Sequence, residues 1–202
     1  MKHPETLIQV FCKAPIAGEV KTRLIPHLGE EGALSLYKEM IQKTLIDVLN
    51  GQLADVEIWC TPTISDAFFD QFDLRRCEQA GDDLGIRMSN ALTEGLKTAK
   101  KVVLIGADLP PLDADYLDHA INELDEHDIV LGPAEDGGYG LVGVRGSVPG
   151  MFTGIDWSTE KVLSQTCRLL NGLKANYALL PLIWDVDRPE DLSRYEAWLN
   201  QT

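Results

Sequence analysis

Lys21 and Arg23 stand two positions apart in KAPIAGEVKTRL, residues 13 to 24, directly after an apolar run. They are conspicuous because the chain carries 32 Asp and Glu against 18 Lys and Arg, a net charge of −14, with a pI near 4.6. Gly18 gives the segment the freedom to bring backbone N–H groups up to an anion, Lys21 supplies a point charge, and Arg23 a bidentate fork. The spacing fits neither a Walker loop nor G-x-G-x-x-G. A solvated turn with two surface cations is the plain alternative. Nucleic acid is excluded as a partner, because phosphate neutralisation along a duplex needs a basic face. A small polyphosphate fits better, with a carboxylate-held divalent metal supplying the remaining positive charge.

Three acidic segments could hold such a metal or a second substrate. Asp108 lies in GADLPPL, residues 106 to 112, just after a continuous apolar strand and before Pro110, which keeps the backbone ahead of it extended. Mg²⁺ typically takes one or two protein carboxylates and completes its shell with water and phosphate, so Asp108 needs one companion. DVDRPEDL, residues 185 to 192, offers Asp185 and Asp187 on one side of an extended segment. There Asp187 followed by Glu190 also reads as a capping box for the last helix, with Pro189 in its first turn. GPAEDGGYGL, residues 132 to 141, has more glycine than a hairpin requires, which suggests close backbone approach to a substrate that Asp136 would touch. Asp82 or Asp83 reads as a helix cap, and so does the Trp157 to Thr159 segment.

These side chains must be carried by a regular framework. Leu7 to Cys12, Val56 to Thr61, Arg75 to Gln79, Val102 to Gly106, Ile129 to Gly132, Tyr139 to Val144 and Tyr177 to Leu182 read as strands. Between them, helical spacing covers Gly32 to Leu49, Ser65 to Phe72, Leu84 to Ala99, Asp113 to Leu124, Ser158 to Leu170 and Pro189 to Leu199. Alternation of this kind predicts a mainly parallel α/β sheet flanked by helices, made mixed by the tight turn at Asp136-Gly-Gly138. One domain is expected over residues 1–202. In open α/β sheets ligands sit beyond the carboxyl ends of the strands, so the loops after Lys13, Gly106 and Asp185 are the places to look.

Composition excludes other classes. No apolar run approaches the roughly 20 residues needed to cross a bilayer, and neither a membrane span nor a signal peptide is expected. Cys12, Cys60, Cys77 and Cys167 form no C-x-x-C pair, and His3, His27, His119 and His127 are scattered. Buried thiols in a reducing cytoplasm are expected, rather than disulfides or a His/Cys zinc site. Homo-oligomer formation is left open.

Taken together, KAPIAGEVKTRL, GADLPPL, GPAEDGGYGL and DVDRPEDL resemble the rSAM/selenodomain-associated transferases, also described as arsenosugar-biosynthesis glycosyltransferases. GDDLGIRM and MFTGIDWST are similar to that family too, so the likeness spans nearly the whole chain. The resemblance implies a nucleotide-diphospho-sugar transferase (GT-A-like) fold, with a nucleotide over the first strands and Mg²⁺ or Mn²⁺ beneath its phosphates. It implies Asp108 and Asp187 as the metal pair, Lys13, Lys21 and Arg23 as phosphate contacts, and Asp136 at the second substrate. Nucleotide contacts would extend to Gly81 and Arg87, and an acceptor pocket would include Gly137, Gly138 and Trp157, although an aromatic core role suits Trp157 as well. The reading taken is glycosyl transfer from a nucleoside diphosphate sugar to a small acceptor. The same motifs resemble 2-phospholactate guanylyltransferases and molybdenum-cofactor nucleotidyltransferases, so pyrophosphate-releasing nucleotidyl transfer is the alternative. A non-catalytic nucleotide-binding module is the third reading.

Overall fold

The structure is a computed structural model that describes residues 1–200. Strands β1 (Thr6–Lys13), β2 (Asp55–Thr61), β3 (Arg75–Glu78), β4 (Lys101–Gly106), β5 (Ile129–Pro133), β6 (Tyr139–Val144) and β7 (Tyr177–Leu179) form one sheet in the order β3-β2-β1-β4-β6-β5-β7. All neighbours are parallel except β6, which runs antiparallel to β4 and β5. The exception follows from the turn between β5 and β6, where Ala134 N–H donates to Gly138 O and Gly137 N–H to Ala134 O. A link this short can only fold the chain back on itself, whereas parallel neighbours need a crossover.

Among the described residues there are five α-helices: α1 (Ile25–Gly51), α2 (Leu84–Gly95), α3 (Ala114–Glu123), α4 (Val162–Gly172) and α5 (Pro189–Leu199). Alternation along the strands sends one set of side chains under α1 and α3, where Ile8, Val10, Ile105 and Val130 meet Tyr37, Ile41, Leu45 and Leu117. The other set lies under α2 and α4, where Phe11, Leu104 and Val142 meet Met88, Ala91 and Leu170. A third, smaller core joins α1, α5 and the segment before α5 through Leu24, Met40, Trp184, Val186 and Tyr195.

The expected strands are all present, with ends shifted by one residue at most except in β7, which is shorter than expected. α1 begins earlier than Gly32 but is broken at Gly29, whose φ of 72 and ψ of 169 are not helical. The Ser65 to Phe72 helix is a 3-10 turn over Ala67–Gln71. α4 starts at Val162, not Ser158, because Ser158 is held at a φ of 64. No helix among the described residues is long and apolar enough to cross a membrane. The four cysteines are free, with Cys12 and Cys60 buried.

Candidate active site

The segments expected to carry chemistry converge beyond the carboxyl ends of β1 and β4. The first loop turns at Gly18 and again at Lys21, a non-glycine residue with φ 46 and ψ 43. That left-handed conformation costs a lysine roughly 1 kcal/mol. It turns the side chain inward: the Lys21 side chain is 5% exposed, and its Nζ lies 2.6 Å from Asp108 Oδ2. Arg23, on the next 3-10 turn, forms an ion pair with Asp187, and the neighbouring carboxylate raises the pKa of the guanidinium further. Two cations of one loop are thus given to two carboxylates far away in sequence.

Packing explains why they meet. Leu24 and Val186 are both fully buried in the third core, next in sequence to Arg23 and Asp187. Val186 N–H also donates to Asp108 O at 3.4 Å, which joins the 184–187 segment to the loop after β4. The last helix is capped without Asp187. Its N-cap is Arg188, and Asp191 Oδ2 accepts from the backbone N–H groups of Asp187 and Arg188 at 3.0 and 2.7 Å. The capping-box reading of Asp187 and Glu190 is therefore replaced by one in which the Asp187 carboxylate does not cap the helix and lines the cleft, paired with Arg23.

Asp108, Asp136, Asp185 and Asp187 all line one cleft of about 950 Å³. Asp108, Asp185 and Asp187 are half-buried and Asp136 is exposed; at Asp185 burial first, then the negative charges of Asp108, Asp136 and Asp187, push the carboxyl up to about 6 despite Lys21. A divalent cation would relieve such a concentration of charge, and an all-oxygen donor set suits Mg²⁺ or Mn²⁺. Among the described residues no group of three or more acidic, His or Cys side chains can hold a metal alone. Two carboxylates completed by phosphate and water would fit the residues present, and Asp108 and Asp187, the pair expected from the resemblance, both line this cleft.

The other expected residues divide into those that face the cleft and those that do not. Lys13, Arg23, Gly138 and Trp157 line it with the carboxylates. Lys21 is paired with Asp108 and is not among the residues that line the cleft. Gly81 and Arg87 do not line the cleft either: Arg87 Nε donates to Gly81 O at 2.8 Å, so the pair ties its own loop together. Asp83 caps α2 through Ile86 N–H, as expected. Gly137, at φ 87, approaches the protein and not an open site: a Cβ there would lie 2.2 Å from Glu160 O. A Cβ on Gly140 would lie 2.3 Å from Leu109 Cδ1. Asp136 Oδ1 accepts from Gly138 N–H at 2.9 Å, an Asx turn that leaves the carboxylate exposed.

Two positioning residues escaped the sequence reading. Tyr37, on α1, accepts from Lys13 N–H at 2.8 Å and so fixes the end of β1; burial keeps its phenol well above its ordinary pKa. Gln79, 8% exposed, donates to both Cys12 O and Trp59 O, at 2.9 and 2.8 Å, and pins the ends of β1 and β2. Only the position of a polar side chain at a strand end could have signalled either one.

Residues 44–159 match the model of the family described as "Uncharacterized protein conserved in bacteria (DUF2064)". A 3-phospho-D-glycerate guanylyltransferase from Phenylobacterium zucineum (strain HLK1) is 33% identical over 126 residues, 58% of this chain and 54% of that protein. The chain thus matches only about half the length of this curated relative. The crystal structure of a provisional nucleotide-diphospho-sugar transferase from Desulfovibrio desulfuricans G20 superposes with a TM-score of 0.85 at 29% identity, covering 98% of each chain. A CMP:2-keto-3-deoxy-manno-octonic acid synthetase complexed with CTP shares the fold, with a TM-score of 0.65 at 11% identity over 98% of this chain and 99% of that one. The fold is therefore that of the nucleotide-diphospho-sugar transferases, as expected.

Proposed function

The chain belongs to the DUF2064 family, and from that premise we propose that it is a metal-dependent nucleotidyltransferase, which joins a nucleoside monophosphate to a small acceptor and releases pyrophosphate. The observation that carries this reading is the meeting of Asp108 and Asp187 with Lys21 and Arg23 at the carboxyl end of the sheet. The guanylyltransferase name of the 33% identical relative points the same way.

In this reading Asp108 and Asp187 hold Mg²⁺ or Mn²⁺, which supplies charge neutralisation at the phosphates when bound. Lys21 fixes Asp108. Arg23 and Lys13, which face the cleft, bind the leaving pyrophosphate. An acceptor oxygen forms a bond to the α-phosphorus, the bond to the β-bridging oxygen breaks, and its electron pair leaves on pyrophosphate. Where the acceptor is a hydroxyl, its proton passes to the exposed Asp136 carboxylate. Gly138 and Trp157 flank that acceptor, and Gly18 shapes the phosphate loop.

Glycosyl transfer is the second reading, favoured by the description of the 29% identical relative. The bond broken would then lie at the sugar carbon, with the same residues holding a leaving nucleoside diphosphate. The arsenosugar role implied by the motif resemblance belongs to this second reading. A thermal-unfolding panel of GTP, CTP, ATP, UTP and their diphosphate sugars, with and without Mg²⁺, tests both, because selective binding raises stability by mass action. Stabilisation by one triphosphate only with metal, together with pyrophosphate release, supports nucleotidyl transfer. Stabilisation by a diphosphate sugar alone moves the assignment to glycosyl transfer, and stabilisation by none overturns both.

A further inference from the structure

Four cations line the cleft, Lys13, Arg23, Lys161 and Arg188, and the reading above uses only the first two. The other two are brought in by separate helix starts that pack around the turn carrying Asp136. Ahead of α4, Glu160 O crowds Gly137, and Leu163 N–H donates to Gly137 O at 2.9 Å. Ahead of α5, Ile183 O accepts from Glu135 N–H at 3.0 Å, and Arg194 of that helix clasps the Glu135 carboxylate at 2.7 and 3.0 Å. Lys161 and Arg188 therefore enter the cleft beside the carboxylate that the mechanism gives to the acceptor.

These two side chains have no other evident employment. Most Lys and Arg side chains of this acidic chain are in ion pairs, Arg23 with Asp187 among them. Among the described residues Lys161 and Arg188 form no ion pair, although Asp136, Glu160, Asp185 and Asp187 share their cleft. They do not serve their own helices either. α2 and α3 start at Asp83 and Asp113, whose carboxylates accept backbone N–H groups. α4 and α5 start at Lys161 and Arg188, which have no acceptor to offer and whose charge opposes the helix dipole. Local stability thus accounts for neither cation.

We propose that Lys161 and Arg188 bind an anionic group of the acceptor, so that the acceptor is an acid, with a carboxylate or phosphate set apart from the oxygen that reacts beside Asp136. This inference rests on the nucleotide-dependent transferase reading above. Arg188 supplies a fork that matches two oxygens of either group, and Lys161 a point charge. A neutral sugar or polyol would gain nothing from this pair, which gives Lys161 and Arg188 the selecting role.

Three probes of one carbon skeleton test it by calorimetry on the full chain: glycerol, D-glycerate and 3-phospho-D-glycerate. Each is titrated with Mg²⁺ and the α,β-methylene analogues of GTP and CTP present, and again without metal or nucleotide. At least one anionic probe should bind, and glycerol should not. D-glycerate binding as tightly as 3-phospho-D-glycerate makes the carboxylate the recognised group; tighter binding of 3-phospho-D-glycerate makes it the phosphate. Lys161→Gln and Arg188→Gln should each weaken the anionic probe by about tenfold, the loss of one charge-assisted contact, while metal–nucleotide affinity changes by less than about twofold. Both variants should fold, because both side chains are exposed; an unchanged thermal midpoint checks each, and should one not fold the other carries the test. No binding of either anion, glycerol binding as tightly as the anions, unchanged anion affinity in either folded variant, or equal losses of nucleotide and anion affinity would each overturn the proposal. Anion binding that depends on Lys161 and Arg188, without any metal-dependent nucleotide binding, would leave the anion site standing and remove the transferase reading instead.

Discussion

Two loops of this protein promise substrate handling, and they are used in opposite ways. In the loop after β1, charge reaches across the molecule: Lys21 meets Asp108 and Arg23 meets Asp187. Around the turn between β5 and β6, two glycines serve the protein's own packing, Gly137 against the backbone of Glu160 and Gly140, at the start of β6, against Leu109. A glycine run reports that something approaches the backbone closely; it does not say whether that something is ligand or chain. A cation in an acidic protein that turns to a distant carboxylate is a more selective signal. The ion pair itself contributes little stability when partly exposed, so stability alone does not account for it.

The comparison breaks most readily at Asp108. Asp108→Asn and Asp187→Asn should each lower turnover by a factor on the order of 10²–10³ while shifting the thermal midpoint only slightly. Steady-state rates read beside unfolding curves decide it, and a fully active variant would return the first loop to the status of a surface turn. Next in size is Gly137→Ala. Its positive φ and its approach to Glu160 O predict a loss of about 2–4 kcal/mol in urea unfolding. The same change at Gly18, where no atom comes nearer than 3.8 Å, should cost about 1 kcal/mol. Equal costs at the two positions would erase the contrast between the loops.

Asp185 sharpens the picture of the charged end. Its carboxyl is raised from 3.8 to about 6 by burial and by its acidic neighbours, so the folded state binds its proton more tightly than the unfolded chain does. Stability of the metal-free protein is then highest below pH 4 as far as this group is concerned, and declines as pH rises to about 6. Asp185→Asn removes that penalty. Discounted for partial exposure, it should stabilise the metal-free protein by about 1–2 kcal/mol at pH 7. The gain should fade as pH falls towards 4; a gain that persists there would point to packing as its source. The smallest effect is expected from Asp136→Ala, about 0.5–1 kcal/mol for the lost turn hydrogen bond to Gly138, read in the same unfolding assay.

Much of the framework was legible in the chain because apolar alternation and turn chemistry are local. The Asp136-Gly-Gly138 turn revealed the antiparallel β6, and the run Val102 to Ile105 revealed a strand buried on both faces. The meeting of the first loop with the 185–187 segment was foreshadowed by the shared charge pattern. The third core that enforces it, built from Leu24, Trp184, Val186 and Tyr195, lies in pieces too distant in sequence to be joined by periodicity. The cap of α5 was misplaced for a related reason. Asp187 and Asp191 both satisfy the composition of a cap, and only the chain's entry angle decides that Asp191 takes the backbone donors. Tyr37 and Gln79 are hidden more deeply, since each acts through side-chain hydrogen bonds to strand ends that no pattern announces.

The most direct test is a calorimetric titration of GTP and CTP, each with and without Mn²⁺, into the parent protein and Asp108→Asn. One nucleotide should bind to the parent at least tenfold more tightly when metal is present, and Asp108→Asn should abolish that metal-dependent increment while retaining its fold. Metal-independent binding in the parent, or an undiminished increment in Asp108→Asn, would contradict the assignment of this cleft as the metal–nucleotide site.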